Sequence, residues 1–425
     1  VSMSYGPGRY DRAYEESGLD YPLPYVRWTE NRNLQAFLAL AASGGVRPER
    51  LLTETVPFQD AERAYAELAS GERRSLSVVF RYDAERELGA RSLTLREPTA
   101  RAPREGELGV AFLGAGNYAR SVLLPALQRA GGTRRLALVT ATGASARRSA
   151  ERFDFARCGT DPEQALADPE VDLVFVTTRH DTHARLAAAA LRAGKSVWLE
   201  KPVGLSPDEV EQVVQAADET GGLLTVGYNR RFSPHARAVR EHFAGRDAPL
   251  SLHYGVAAGP PPAGTWVTDP RVGGGRVVGE VCHFVDLCTY LVGKSPVRVF
   301  ARALGRDPEQ DDSLLATLAY PDGSVATIEY LCGAHAELPK ERFEVSGAGR
   351  TARCDNFRTT QLLGGRAVKT WNQDKGQQTA IAETLAAVRS GSPSPIPLAE
   401  VSAVSRATFA ILESCRSGVP VELAP

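Results

Sequence analysis

The chain lacks any block of one charge and any long apolar run, and each absence removes a class of partner. Lys plus Arg number 50 against 51 Asp plus Glu, a formal net charge of −1 over 425 residues. That balance argues against a nucleic-acid or anionic-membrane partner. The longest apolar stretches, such as "ARLAAAALRAG" at 184–194, fall well short of the roughly 20 residues that a membrane-spanning helix needs. Cysteine is sparse and scattered: Cys158, Cys282, Cys288, Cys332, Cys354 and Cys415 form no CxxC pair, and no secretory apolar region accompanies them. Reduced thiols in a cytoplasm are therefore expected. Without CxxC or HExxH spacing, no metal site is expected either. The length exceeds the roughly 250–300 residues at which single cores stop growing, so two or three domains are anticipated.

Residues 1–32 are rich in Tyr, Pro and Gly without clear periodicity, as if the chain were joined partway through a domain. After them, "NLQAFLALAASGG" has helical spacing and ends at glycines, "DAERAYAELASGE" repeats the pattern behind Asp60, and "RSLSVVFRYD" reads as a strand. With "VPFQDAERAYAELASGE", this order resembles the C-terminal end of a medium-chain, zinc-type alcohol dehydrogenase over about residues 33–83. The glycine-rich nucleotide loop and zinc cysteines of such an enzyme are absent from these residues, so 1–83 reads as a remnant or fusion partner. Residues 84–106 are charged, broken by prolines and poor in large apolar residues. That composition suits a linker.

At "LGVAFLGAGNYARSVLLPALQRAG" the pattern changes to a short apolar strand, a glycine turn and an amphipathic helix. Gly114, Gly116 and Ala119 form a GxGxxA loop: the first permits a tight turn, the second lets the backbone approach a pyrophosphate, and the third allows close helix packing. Asn117 and Tyr118 lie within it, at a helix start whose free amides suit phosphates. The next strand, "LALVTATGASARR", ends without the carboxylate that would hold an NAD ribose. Thr140, Thr142 and Ser145 stand there with Arg147 and Arg148 behind, which favours NADP over NAD. The same arginines serve equally well as a solvated helix face.

Strand and helix then alternate to about residue 227, as in a parallel doubly wound sheet. Ligands of such sheets bind beyond the strands' carboxyl ends. Thr177, Thr178, His180, His183, Glu200, Lys201, Asn229, Arg230 and Arg231 fall at those ends. Further on, "GGGRVVGEVCHFVDLC" carries Glu280, His283 and Asp286 three residues apart, within an arc of roughly 120° on an ideal helix. One face would present a histidine with carboxylates to orient it. Trp266, Asp269 and Arg276 precede that helix, and Lys340 and Lys375 are further charged candidates. The remaining segments, among them "SLLATLAYPDGSVATIEYLCG" with its hairpin signal, read as strands of an open sheet followed by two helices ending at glycine.

Taken in order, the glycine loop, "THARLAAAALRAGKSVWLEKP", "VGYNRRFSP" and "GGGRVVGEVCHFVDL" resemble the Gfo/Idh/MocA oxidoreductases over roughly 107–425. The resemblance implies an α/β chain: a Rossmann domain with a doubly wound parallel sheet (107–227), followed by an α/β domain with a large, open, mostly antiparallel sheet (228–425). It implies NAD(P)-dependent hydride transfer at a carbinol of a sugar, nucleotide sugar or cyclitol, and a homodimer or homotetramer built on the open sheet. The dinucleotide would contact Gly114, Gly116, Asn117, Tyr118, Ala119, Thr142, Arg147, Thr177, Thr178, His180, His183, Glu200 and Lys201. The substrate would contact Lys201, Asn229, Arg230, Trp266, Glu280 and His283. Lys201 matches the family's "EKP" lysine, the acid–base group at the carbinol oxygen, with His283 and Glu280 beside it. The family pattern has an aspartate four residues before the histidine, where this chain has Gly279 and then Glu280. Two other readings are a redox-neutral lyase or glycoside hydrolase holding its NAD tightly, and a non-catalytic nucleotide-binding regulator.

Overall fold

Six consecutive buried residues, Leu108–Leu113, form a strand that is covered on both faces. Such a run is the mark of a central strand in a parallel sheet clad by helices on each side. The computed structural model describes residues 5–83, 91–96, 106–260, 264–305, 313–335 and 337–423. The chain divides into two units, 1–89 and 90–425.

The first unit contains helices α1 (Arg12–Ser17), α2 (Glu30–Ala42) and α3 (Ala61–Ser70), and strands β1 (Glu54–Pro57) and β2 (Val78–Arg81), which pair in parallel. The helices and the final strand expected over 33–83 are present. Of the described apolar residues in this unit only Val56 and Ala64 are buried, whereas Leu34, Phe37, Leu38 and Phe58 are exposed.

In the second unit, strands β3 (Ser92–Thr94), β4 (Leu108–Leu113), β5 (Thr133–Val139), β6 (Arg157–Gly159), β7 (Leu173–Val176), β8 (Ser196–Leu199) and β9 (Leu224–Val226) form a sheet in the order β3-β6-β5-β4-β7-β8-β9. All neighbours are parallel except β3 on β6. Helices α4 (Leu124–Ala130), α5 (Gly143–Arg152), α6 (Pro162–Leu166), α7 (His183–Arg192) and α8 (Pro207–Thr220) lie between successive strands. Proline at N1 and a side-chain cap start two of them: Asp161 accepts from the Glu163 amide (3.0 Å) and Ser206 from the Glu209 amide (3.2 Å). Within the expected linker 84–106, β3 is a sheet edge, paired from Ser92 to Thr94 with Gly159 to Arg157. Leu95 packs on the core beside it. The charged composition of the segment hides this short "SLTL" alternation. Residues 84–90 and 97–105 lie outside the described residues.

The chain leaves β9 through a turn at Asn229–Phe232 and helix α9 (Pro234–His242), then builds a nine-stranded sheet. Its strands are β10 (Ser251–Ala257), β11 (Arg298–Ala303), β12 (Leu314–Ala319), β13 (Val325–Leu331), β14 (Glu341–Gly347), β15 (Arg350–Asp355), β16 (Thr359–Leu362), β17 (Val368–Lys369) and β18 (Val421–Glu422), ordered β17-β16-β15-β14-β10-β13-β12-β11-β18. Every neighbouring pair is antiparallel except β10 with β13. Alternation separates its faces: Leu252, Tyr254 and Val256 are buried while Ser251 and His253 are exposed. Helices α10 (Cys282–Val292), α11 (Gln377–Ser390) and α12 (Leu398–Ser417) complete the unit, with α12 on β11 and α10 on β13. On the other face Phe300, Leu315 and Val325 remain exposed.

The turn at Asn229–Phe232 carries two buried arginines. Arg231 donates to both oxygens of Asp286 on α10 (2.5 and 3.1 Å) and to Glu400 on α12 (2.8 Å). Burial pushes the Asp286 carboxyl up to about 6 even beside that guanidinium. Removing the arginine alone strands a buried charge, which typically costs about 3–5 kcal/mol. Arg231→Met is therefore expected to lower the urea midpoint sharply, and adding Asp286→Leu to recover part of the loss. Equilibrium unfolding of the single and double variants checks this.

Candidate active site

The chain turns out of β4 at Gly114, where φ is +101° and a Cβ would lie 2.5 Å from the Thr177 carbonyl oxygen. Only glycine fits that backbone at that distance. At Gly116 a Cβ would meet no atom within 4 Å, so the backbone there is open to a ligand. Ala119 is buried, at the start of a π-helical turn (Ala119–Leu123) that runs into α4. The loop borders a cleft of about 1230 Å³, whose lining includes the ends of β4, β5 and β7, the Lys201 turn, Trp266, Glu280, His283, Lys340 and Lys375.

Every residue expected to contact dinucleotide or substrate lines this cleft except Arg147, while the further candidates Arg148, Arg231, Asp269, Arg276 and Asp286 do not line it. The Arg147 side chain donates to Glu151 one turn along α5 (2.8 Å) and is exposed. The bland reading of it, a solvated helix face, is the one the structure adopts. Thr140, Thr142 and Ser145 do line the cleft.

Three buried histidines face it with unequal freedom. His183 donates from Nδ1 to the Pro202 carbonyl (2.7 Å), and His180 from Nδ1 to the Gly273 carbonyl (2.8 Å). Burial, with Lys201 nearby, holds His183 down to about 4 and His180 to about 3. Both are neutral rings that brace loops: His180 ties the end of β7 to the glycines before α10, and its ring stands edge-on to Trp266 (4.8 Å). His283 differs. It is 8% exposed and its Nδ1 has no hydrogen-bond partner. Burial lowers its pKa well below the usual value, and the charges of Arg230, Lys201, Lys375 and Lys340 push it further down.

Lys201 follows β8 and precedes Pro202, to which it is joined by a cis peptide bond. Its Nζ donates to the carbonyl oxygen of Gly279 (2.5 Å). A Cβ at Gly279 would lie 3.2 Å from His180 Cε1, tighter than ordinary contact. The lysine's partner at this position is thus the main chain. Glu200 is buried next to it and accepts from Trp198 Nε1 (3.1 Å), and burial pushes its carboxyl up to about 7.

Glu280, His283 and Asp286 do not act together. Residues Val277–Val281, Glu280 among them, are wound as a π-helical turn that runs into α10, which carries His283 and Asp286. Asp286 is spent on Arg231 and does not line the cleft. Glu280 does, held by Lys340 (3.0 Å), the Tyr330 hydroxyl (2.7 Å) and Arg276 (3.1 Å). Burial acts to raise its pKa, but those three partners outweigh it and hold the carboxyl down to about 2. Arg230 forms a fork with Glu341 (2.7 and 2.8 Å), which also accepts from Lys375 (2.6 Å) and Tyr254 (2.6 Å). Asn229 donates to the Lys375 carbonyl (2.8 Å).

Sequence reasoning missed Tyr330, Glu341 and the Gly279 carbonyl. The first two sit at inward positions of β13 and β14, where strand alternation marks burial but not chemistry. A carbonyl has no residue-type signal at all.

With this geometry described, likeness to known proteins gains meaning. Residues 108–228 match the oxidoreductase family, NAD-binding Rossmann fold, and residues 236–353 match the GFO/IDH/MocA C-terminal domain. Through these two domains the chain belongs to the Gfo/Idh/MocA oxidoreductase family. It is similar to the uncharacterised oxidoreductase YrbE of Bacillus subtilis, 28% identical over 211 residues, 48% of this chain and 61% of that protein. It is also similar to a 1,5-anhydro-D-fructose reductase of Ensifer adhaerens, 26% identical over 263 residues, 60% of this chain and 77% of that one. The match to YrbE thus spans less than two thirds of that relative's length. A levoglucosan dehydrogenase solved in complex with NADH and levoglucosan shares the fold: TM-score 0.65, 22% identity, 74% of this chain and 99% of that chain.

The unfolded chain protonates its histidines below about 6.5, whereas native His183 and His180 resist protons until about 4 and 3. Their contribution to stability is present above that window and is lost as pH falls through it. Glu200 and Asp286, with raised pKa values, act in the opposite sense. A variant comparison separates the two: His183→Asn, which keeps a donor for Pro202, should lose less melting temperature between pH 7 and pH 5 than the parent protein. Thermal unfolding at the two pH values reads the difference.

Proposed function

We propose that the region from residue 108 onward is an NAD(P)-dependent oxidoreductase that moves a hydride between a nicotinamide and a carbinol or keto group of a sugar, nucleotide sugar or cyclitol. The observation that carries this reading is the convergence on one cleft of a dinucleotide-type glycine loop, the Lys201 ammonium and an unpartnered, neutral His283. The similar proteins named above, a reductase and a dehydrogenase of sugars, support the substrate class. The glycine loop fits a dinucleotide: Gly114 makes the turn, and the open backbone at Gly116 allows a pyrophosphate to come close.

When bound, the nicotinamide ring supplies the hydride acceptor or donor. The protein's own residues handle the proton. Lys201 uses one N–H on the Gly279 carbonyl, and the rest of its amino head is free for a substrate oxygen. As the neutral amine it takes the hydroxyl proton during oxidation and becomes the ammonium, which returns that proton during reduction. His283, kept neutral by burial and four cations, orients that oxygen through a hydrogen bond. Glu280 stays ionised and fixes Lys340 and the Tyr330 hydroxyl at the wall of the cleft.

At the end of β5 the cleft offers hydroxyls, with no carboxylate to repel a 2′-phosphate, and Arg147 is engaged by Glu151. Both NAD and NADP are accepted on this reading. We also propose a cytoplasmic homodimer or homotetramer formed through the open sheet face, supported by six scattered cysteines without CxxC spacing and by the exposed Phe300, Leu315 and Val325. Among the described residues no helix is long and apolar enough to cross a membrane. For residues 33–83 we propose descent from the end of a medium-chain dehydrogenase, supported by the order α2, α3, β2.

Lys201→Met should leave NADH binding intact and reduce kcat by about 10²–10⁴ with whichever sugar or cyclitol the parent protein turns over. An unchanged rate removes Lys201 from the chemistry. Fluorescence titration should give Kd values for NADH and NADPH within about tenfold of each other, since no group discriminates by more than about 1.4 kcal/mol.

A further inference from the structure

Around His283 the cleft gathers more positive charge than its carboxylates balance. Glu280 is shared by Lys340 (3.0 Å) and Arg276 (3.1 Å). Glu341 is shared by Arg230 (2.7 Å) and Lys375 (2.6 Å). Lys201 rests on a neutral carbonyl. Five cations thus meet two carboxylates, and Glu200 and Asp181, which also line the cleft, bring the carboxylates to four at most. The cations converge: Arg230, Lys201, Lys375 and Lys340 all act on the His283 imidazole, and Lys340 and Lys375 repel each other.

Unbalanced charge at a partly buried wall is costly unless an anion joins it. The cofactor's pyrophosphate does not serve, because a glycine loop directs it to the helix N-terminus after β4. A neutral polyol would leave the excess in place. The side chain of Lys340 is 45% exposed and that of Lys375 14%, so one sits towards solvent and the other deeper.

Resting on the oxidoreductase reading, we infer that the substrate is a polyol bearing an anionic substituent, a carboxylate or a phosphate, which Lys340 and Lys375 receive beside His283. Electrostatic complementarity of this kind selects partners by sign. The remainder of the polyol then lies towards Lys201, with the reacting carbinol separate from the anionic group.

The test is calorimetric titration of D-glucuronate, D-glucose 6-phosphate and D-glucose into the full chain, with and without saturating NADH. At least one anion should bind about tenfold or more tightly than glucose, as a charge-assisted contact provides. Preference for glucuronate identifies a sugar acid, and preference for the phosphate a phosphorylated or nucleotide sugar. Lys340→Gln and Lys375→Gln should each shrink that preference at least about fivefold. Lys340 is exposed enough for its variant to fold, which circular dichroism confirms. Glucose binding as tightly as both anions, failure of both anions to bind, or a preference unchanged in both variants overturns the inference. Failure of NADH itself to bind overturns the oxidoreductase reading instead, and the anion titrations without cofactor still report on this one.

Discussion

Arg230 and Arg231 carry two adjacent charges into the interior at the end of the dinucleotide sheet, and the shape of the cleft follows from how those charges are held. Arg231 is bound by Asp286 and Glu400, which fixes α10 and α12 against the turn. Arg230 is bound by Glu341, which fixes β14 and, through the same carboxylate, Lys375 and Tyr254. Two neighbouring side chains are therefore held by different layers, Arg230 by a strand of the second sheet and Arg231 by helices of the same unit. Buried pairs of this sort add little stability over apolar residues, but they tolerate very few arrangements. The cleft inherits its definition from that intolerance.

A second theme is the suppression of histidine charge. His180 and His183 have their Nδ1 hydrogens committed to carbonyls and serve as struts between the β7 end, the Lys201 turn and the loop before α10. His283 is held down first by burial, as they are, and then by four surrounding cations, with no hydrogen-bond partner at Nδ1. The acid that would conventionally accompany it is occupied elsewhere, since Asp286 faces Arg231. Proton traffic in this cleft is accordingly assigned to the lysine, and the imidazole to orientation.

Much of this was legible in the residues. The glycine loop, the alternation of strands and helices to residue 227, the PDGS hairpin between β12 and β13 and the cleft positions of Lys201, Glu280 and His283 all follow from pattern and spacing. What escaped did so for physical reasons. The edge strand Ser92–Thr94 is too short to stand out in a charged segment, since its strand character comes from pairing with Arg157–Gly159. The π-helical turn at Val277–Val281 leaves no signature in residue type, and the pairing of Asp286 with Arg231, 55 residues away in sequence, could not be read from the helix spacing. Arg147 had two readings, and the structure pairs it with Glu151 four residues away on its own helix. Glu341 and Tyr330 are ordinary strand residues until segments distant in sequence bring Arg230, Lys375 and Arg276 to them.

Gly279 offers Lys201 an oxygen that belongs to the main chain. A carboxylate in that role would gain and lose a proton and would drag the lysine with it. A carbonyl does neither. The hold on Lys201 is therefore the same in acid and in base, and it cannot be removed by changing the side chain at 279. Position 279 therefore bears on the lysine through its backbone and through volume, because His180 stands 3.2 Å from where a Cβ would be.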